Sequence, residues 1–412
     1  MKAVVFHDVG DIRLENVPEP KIEQPQDAIV RITMSAICGT DLHIVRGTMT
    51  GMVPGTILGH EGVGVVEEVG PEVYNLKKGD RVVIPSTIAC GYCAYCRDGY
   101  YSQCDVANPN GRLAGTAFFG GPKESGPFDG LQAEYARVPF ASVGLVKLPD
   151  DVIDEQAILL SDAFPTGFFG ADLANIHPGR TVAVFGCGPV GQFAIMSAFL
   201  MGAGRVFAVD AIPSRLDVAC RQGAEVIDYN KEDPVEAIRS LTGGIGVDRA
   251  IDAVGVDANM PSAGPALQHE QHLRPLFQQE QKEVVPKENP QGPNWHPGDA
   301  PSQALMWEVD ALDKAGTLSI IGVYPQTVRL FPIGQAMMKN LKIHMGNCPH
   351  RRYIPQLLDI TRTGAISEVL PLTEERPFGD VIEAYKHFDR REPGWLKVAL
   401  AVQAAQPQLA AA

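Results

Sequence analysis

Residues 181–204, TVAVFGCGPVGQFAIMSAFLMGAG, run for 24 positions without a charged side chain. Length alone would suit a membrane span. Five glycines and a proline interrupt it, however. The better reading is a buried strand, a tight turn at Gly186-Cys-Gly188-Pro189-Val190-Gly191, and a buried helix. A G-x-G-x-x-G run that follows a strand and opens a helix is the context a dinucleotide fingerprint requires. Its glycines permit the turn and let a pyrophosphate approach the helix N-terminus.

The surrounding pattern agrees. RVFAVD, a helix from Pro213, AEVID, a helix from Asp233 and VDRAIDAV follow in turn. Strands alternating with helices predict parallel βαβ units. Asp210 ends RVFAVD nineteen residues past Gly191. A carboxylate there accepts from a ribose 2′-OH and repels a 2′-phosphate, so NAD is expected rather than NADP. Arg215 is the counter-signal, because a nearby Arg could accommodate that phosphate; otherwise it is a solvated helix residue. Thr166, Val254-Gly255 and Gly322-Val323 are expected to line the nicotinamide, since ligands bind beyond the carboxyl ends of parallel strands.

At 412 residues the chain is too long for one core. Residues 1–150 read as β-rich and barrel-like, with the runs AVVF, AIVRITMSAI, GVGVVEEV, RVVIP and AEYARVP separated by Gly, Pro and Asp turns. Residues 154–174 read as helical with a break at Pro165. From 257 to 302 the segment is rich in Gln, Glu, His and Pro and has no clear period, so it reads as a structureless excursion. A helix near 304–314 and the strand TLSIIGVY resume the pattern. The expected division is therefore 1–155 with a lobe at 90–104, 156–330 with the insertion 257–302, and 331–412 returning to the first domain. The tail 404–412 is expected to fray.

Apolar residues at 45% and charged residues at 20% describe an ordinary soluble globular protein. A net charge of −14 disfavours nucleic acid and anionic membrane as partners. Met1–Gly10 lack an apolar signal core and read as a strand, so a cytoplasmic setting is expected. There, Cys90-x2-Cys93-x2-Cys96-x7-Cys104 is a metal site rather than a set of disulfides. Four close thiolates suit tetrahedral zinc with no open position. Unliganded core cysteines are the bland reading, and Gly, Tyr, Arg and Asp between them argue against it. An iron–sulfur cluster is the sharper rival. Zinc is preferred, in a structural role. Cys220 and Cys348 are expected in the core.

A second set of residues sits at strand ends: Cys38-Gly-Thr40-Asp-Leu-His43 and Gly59-His60-Glu61-Gly62. One Cys and one His are weak evidence alone. Together, CGTDLH, GHEGVGVVEEVG, the four-cysteine lobe and GCGPVG, in this order, resemble the zinc-containing medium-chain alcohol dehydrogenases. The resemblance covers nearly the whole chain, with 257–302 as the main extra. It implies an α/β protein: a GroES-like β-barrel catalytic domain and a Rossmann doubly wound parallel sheet. It also implies NAD and two zinc ions per subunit, and a homo-oligomer, a tetramer in preference to a dimer.

The resemblance further implies a catalytic zinc held by Cys38, His60 and a third ligand, usually a cysteine. No cysteine lies between Cys104 and Cys187, and LLSDAFPTGFFGA puts Asp162 at the matching position. A carboxylate is an acceptable zinc ligand. Cys38 thiolate, Asp162 carboxylate and neutral His60 would carry −2 and balance the metal. An aspartate here is similar to the glutathione-independent formaldehyde dehydrogenase and dismutase branch, as is the insertion. Glu61 is implied either as a transient ligand or as a neighbouring carboxylate that tunes the metal.

The activity implied is reversible, NAD-linked oxidation of a primary or aromatic alcohol. Alcohol oxygen would take the open position, where zinc stabilises the alkoxide. Thr40 would accept the proton, with His43 as its exit to solvent. The alternative is a formaldehyde dehydrogenase or dismutase whose NAD is trapped by 257–302 folded over adenine. A non-catalytic zinc and nucleotide-binding protein would lack a ligand or relay residue, and none is missing. Phe164, Met49 and Phe128 are candidate pocket walls.

Overall fold

The computed structural model describes residues 1–364 and 372–402. The apolar run AVVF and the alternating DIRLEN give a ribbon of β1 (Lys2–Asp8) and β2 (Asp11–Asn16). A larger sheet follows from β3 (Ala28–Ile37), β4 (Gly62–Val69), β5 (Arg81–Ile84), β6 (Tyr135–Val138) and β7 (Val146–Lys147). β3 and β4 run antiparallel, with Ala28 opposite Val69 and Ser35 opposite Gly62. Val30, Ile32, Val66, Val82 and Ile84 point into one shared core. This is the GroES-like domain.

The second sheet is parallel: β8 (Thr181–Phe185), β9 (Arg205–Asp210), β10 (Glu225–Asp228), β11 (Val247–Asp252), β12 (Leu312–Ile320) and β13 (Lys342–Met345). Its order is β10-β9-β8-β11-β12-β13. That is the doubly wound Rossmann order, whose crevice lies where the winding reverses, between β8 and β11. The uncharged run divides as its glycines require: β8, a turn, then the helix Pro189–Leu200. Among the described residues, no helix is long and apolar enough to cross a membrane.

β14 (Glu374–Pro377) and β15 (Val398–Ala401) return to the first sheet, where β15 pairs with β3. The expected boundary after residue 330 is too early: β13 still belongs to the nucleotide sheet, paired with β12. The tail 404–412 lies outside the described residues.

Three other expectations change. Residues 154–174 do break, but at Asp162, between the helices Asp154–Ser161 and Ala163–Leu173. Pro165 is the third residue of the second helix, where no intrahelical N–H is needed. Cys220 is exposed, not core, whereas Cys348 is buried. The insertion is not structureless: it holds the helices Gly264–Glu270 and Arg274–Val284. Phe277, Met260 and Ala300 form its own small core.

The rest of the insertion straps the two domains together. Lys287 Nζ lies 2.5 Å from an Asp8 carboxylate oxygen. Asn289 donates to the Val9 carbonyl at 3.0 Å, and Gln291 to the Gly10 carbonyl at 2.8 Å. The chain passes so close that a Cβ on Gly47 would sit 2.4 Å from the Lys287 carbonyl oxygen. Trp295, 2% exposed, plugs the core of the GroES-like domain.

Candidate active site

Three backbone irregularities deliver the candidate metal ligands. Cys38 stands where β3 gives way to the helix Gly39–Arg46. His60 and Glu61 occupy the turn before β4. Asp162 is the break between its two helices, with φ −145° and ψ −63°. One ligand atom from each of Cys38, His60, Glu61 and Asp162 falls in a group within 4.8 Å of one another, and all four residues are buried. Cys38 Sγ is 3.5 Å from Asp162 Oδ2, and His60 Nε2 is 3.7 Å from the same oxygen.

The residues behind this group fix its orientation. Asp41 Oδ1 lies 3.3 Å from His60 Nδ1, which leaves Nε2 facing the group. Asp41 Oδ2 accepts from the Cys38 N–H at 2.9 Å. His350 Nε2 lies 2.7 Å from Asp162 Oδ1, so Oδ2 is the oxygen left toward Cys38 and His60. Burial opposes ionisation of Asp162, but hydrogen bonds to His350 and His60 outweigh it and hold the carboxyl well below its ordinary range. Burial and the Asp162 charge push the Cys38 thiol up.

Glu61 has its own cation. Its Oε1 is 2.5 Å from Lys397 Nζ, and neither side chain is exposed at all. Lys397 also donates to the Ile37 carbonyl at 3.2 Å. Glu61 Oε2 is buried without a hydrogen-bond partner among the described residues. A thiol and two carboxyls crowd one dry site with an orphaned oxygen among them, a donor set that a divalent cation satisfies. The S, N and O donors suit zinc.

The four cysteines of the lobe also have ligand atoms within 4.8 Å of one another, and none is in a disulfide. Backbone N–H groups of Cys93 and Cys96 point at Cys90 Sγ and Cys93 Sγ, at 3.4 and 3.5 Å. Those of Cys90 and Ala107 point at Cys104 Sγ, both at 3.3 Å. Hydrogen bonds from Cys96 and from the backbone pull the Cys104 thiol down to about 4. Burial pushes the Cys90 thiol the other way, up to about 11; four unbridged sulfurs this close, with backbone N–H groups aimed at three of them, fit zinc as well.

Above the Cys38–Asp162 group opens a cleft shared by both domains. Gly186, Gly188, Pro189, Val190, Asp210 and Arg215 line it on one side, and Val254, Gly322 and Val323 on another. Gly191 does not line it. It lies under the turn, where an added Cβ would sit 1.8 Å from the Gly186 carbonyl oxygen. Thr166 does not line it either; its hydroxyl donates to Asp162 Oδ1 at 3.3 Å. The candidate wall residues are elsewhere. Phe164 is a core residue stacked on Phe193 at 4.8 Å, and Met49 and Phe128 pack on the first-domain core.

Asp210 has structural work besides any ribose. Its Oδ2 accepts from the Cys187 N–H at 2.8 Å, and its Oδ1 from Ala211 and Ile212 at 2.7 and 3.0 Å. Arg215 Nη1 is 4.0 Å from Oδ2. Beyond it, Tyr229 and Trp307 line the cleft with ring centroids 5.3 Å apart. The start of the insertion reaches the cleft through Asp257–Asn259, and Gln303, Ala304 and Trp307 just past its end line the cleft as well.

Family models for the alcohol dehydrogenase GroES-like domain and for zinc-binding dehydrogenases match residues 24–150 and 189–271. Over 410 residues the chain is 38% identical to the uncharacterized zinc-type alcohol dehydrogenase-like protein AdhB of Bacillus subtilis (strain 168), covering 97% of this chain and 100% of that one. The chain belongs to the zinc-dependent medium-chain dehydrogenase family. This dehydrogenase is a zinc-type alcohol dehydrogenase-like oxidoreductase. Among solved structures, alcohol dehydrogenase TADH from Thermus sp. ATN1 matches it with a TM-score of 0.79 at 32% identity, over 98% of this chain and 100% of that one. A glutathione-independent formaldehyde dehydrogenase of Pseudomonas aeruginosa (strain LESB58) is 41% identical over 268 residues, 62% of this chain and 66% of that one.

The structure brings to the site several residues that the motifs did not point to. Asp41 lies inside the CGTDLH run and could have been noticed there. His350, Lys397, Asp257 and Arg391 have no local signature. Arg391 follows the helix Val381–Asp389, lines the cleft, and has φ +55°. Burial and the neighbouring Arg215 and Arg46 lower its pKa to about 10. His43 lines the cleft as well but is only 6% exposed. It is buried rather than a surface residue, with Asp257 on its Nδ1 side.

Proposed function

We propose that this chain catalyses the reversible, NAD-linked oxidation of a primary or aromatic alcohol to its aldehyde. One zinc would be held by Cys38, His60 and Asp162, and a second by the four-cysteine lobe. The observation that carries the reading is the meeting of those three side chains at the floor of a cleft walled by the Gly186–Gly191 turn. When bound, zinc would supply Lewis acidity toward the alcohol oxygen, and NAD would take up the hydride.

The chain's own residues do the rest. Asp41 and His350 aim His60 and Asp162 at one point. Glu61 sits against Lys397 as a neighbouring carboxylate, a reading the 2.5 Å contact supports over permanent ligation. Thr40 and His43 line the cleft and offer a hydroxyl and an imidazole for the departing proton. The Asp210 carboxylate favours NAD over NADP. The N-terminus of the helix Pro189–Leu200 favours the pyrophosphate, with Arg391 and Arg215 as counter-charges.

A second reading has one specific observation behind it. The strap formed by residues 287–298 joins the domains on either side of the cleft. A cleft closed in this way would retain NAD, as an aldehyde dismutase or formaldehyde dehydrogenase with a resident cofactor requires. We also propose a homo-oligomer, a tetramer before a dimer. β13 is an edge strand, and Ile333, Met337, Met338 and Met345 beside it are 64–84% exposed. The unbridged cysteines fit a reducing, cytoplasmic setting.

The deciding experiment purifies the protein without added cofactor and assays zinc, released nucleotide and alcohol-dependent NADH formation. Two zinc ions, no nucleotide and turnover with added NAD are expected. Retained nucleotide, with aldehyde converted to acid and alcohol and no free NADH, would instead establish the second reading. Failure of both reactions in zinc-loaded protein would defeat both. Light scattering decides the assembly.

A further inference from the structure

His43 and Asp257 come from different domains and meet out of solvent. His43 belongs to the helix Gly39–Arg46, and Asp257 to the turn after β11 where the insertion begins. They are 6% and 7% exposed. His43 Nδ1 is 3.0 Å from Asp257 Oδ2 and 3.0 Å from Thr48 Oγ1. The Thr48 hydroxyl donates its own proton to the His43 carbonyl at 3.2 Å. Thr48 Oγ1 can therefore only accept from the ring, and a carboxylate can only accept. Both partners of Nδ1 require it to carry the proton. Nε2, which makes no protein hydrogen bond among the described residues, is then the basic nitrogen of the neutral ring.

We propose that Asp257 is the positioning residue of the proton path: it fixes the His43 ring and tautomer so that Nε2 is the nitrogen offered to the cleft. Asp257 is itself held. Arg46 Nη1 lies 2.7 Å from its Oδ2, and the Gly298 N–H donates to its Oδ1 at 3.1 Å. Arg46 is pinned from the other side by Asp389, with Nε 2.9 Å and Nη2 2.8 Å from Oδ1. The charged groups around His43 are thus Asp257 facing the ring, Arg46 on its own helix, and Asp389 and Arg391 from the helix Val381–Asp389 and its exit.

This inference rests on the proposed alcohol oxidation. In that reaction two electrons leave the substrate carbon as hydride to the dinucleotide, and one proton leaves its oxygen. That proton passes through the Thr40 hydroxyl to His43 Nε2 and on to water. An imidazolium formed at His43 faces the Asp257 carboxylate, so the carboxylate stabilises the state in which the ring holds two protons. Asp257 rides on the nucleotide-binding domain, so the path is complete only while the two domains are in register.

The test compares Asp257→Asn with Asp389→Asn, which removes the other carboxylate charge on Arg46 without touching His43, and uses the holoenzyme. Asp257→Asn should lower kcat about 100-fold, with KM for NAD and alcohol little changed. A small base such as imidazole should restore much of the loss. In a His43→Gln background Asp257→Asn should cost nothing further. In 15N-histidine protein, the His43 Nδ1–H resonance of the wild type should shift or vanish in Asp257→Asn and persist in Asp389→Asn. The inference is overturned if Asp257→Asn keeps both its kcat and that resonance, or if Asp389→Asn reproduces its kinetic loss and base rescue. A wild-type protein that oxidises no alcohol with NAD would count against the reaction, while the resonance still judges the Asp257–His43 pair.

Discussion

Asp162 and His350 stand 188 positions apart in the chain, yet Oδ1 of one lies 2.7 Å from Nε2 of the other. A thiolate in the same position has one sulfur to offer. A carboxylate has two oxygens, and the one not aimed at the metal needs a partner of its own. Replacing His350 by Phe should weaken zinc at the Cys38–His60–Asp162 site by roughly 10- to 100-fold, leaving the four-cysteine zinc in place. Asp162→Ala should lose one of the two zinc ions outright. Metal competition with a chromophoric chelator reads both effects. Equal loss from both sites would mean a folding defect instead.

Lys397 and Glu61 form an ion pair with no exposure on either side. Lys397→Met leaves a buried carboxyl without its counter-charge. We expect a loss of about 3–5 kcal/mol in urea unfolding. Adding Glu61→Gln should recover much of it, because the pair then goes together. Additive losses in the double variant would show that the two groups do not depend on each other.

Asp210 sits where charge selects the dinucleotide. Asp210→Asn keeps an acceptor for Ala211 and Ile212 but removes the negative charge beside Arg215. The ratio of kcat/KM for NADP to that for NAD should rise about tenfold, equivalent to ~1.4 kcal/mol. An unchanged ratio would mean that Arg215 and Arg391, not Asp210, set the preference.

Acid should reveal the Asp257 pair. Burial opposes its ionisation, but Arg46 and His43 more than compensate and hold the folded carboxyl well below the ordinary value. A depressed pKa contributes stability above the unfolded value, near pH ~4, and that contribution is lost as pH falls further. Asp257→Asn should therefore show its full deficit in urea midpoint at pH 7, and a shrinking one below about pH 4. A deficit that is flat from pH 7 to 3.5 would remove the electrostatic explanation.

Local pattern carried much of the architecture. The alternation of AIVRITMSAI and the uniform burial of TVAVF fixed β3 and β8 to the residue. The Gly186–Gly191 turn located the cleft because its chemistry is contained in six neighbouring positions. Pro165 misled, since a proline in a helix interior breaks it and one in the first turn does not. The helices of the insertion escaped notice because a surface helix rich in Gln and Glu buries few residues: Arg274–Val284 buries only Phe277, Glu280 and Val284. The partners of the site were illegible for a different reason. Arg46 finds Asp389 across 343 positions and Glu61 finds Lys397 across 336, and periodicity reports only on neighbours.

Trp295 gives the cleft an unusual threshold for opening. Its ring is buried in the opposite domain, its backbone N–H donates to Asp389 Oδ2 at 2.8 Å, and Asn294 beside it donates to the Lys386 carbonyl at 2.8 Å. A rotation of one domain away from the other must extract that ring into water before the cleft widens. Opening would then expose a buried indole, as a local unfolding event does. Its rate would climb with temperature as steeply as unfolding rates do, so the cleft of a Trp295→Ala variant would lose much of that temperature dependence.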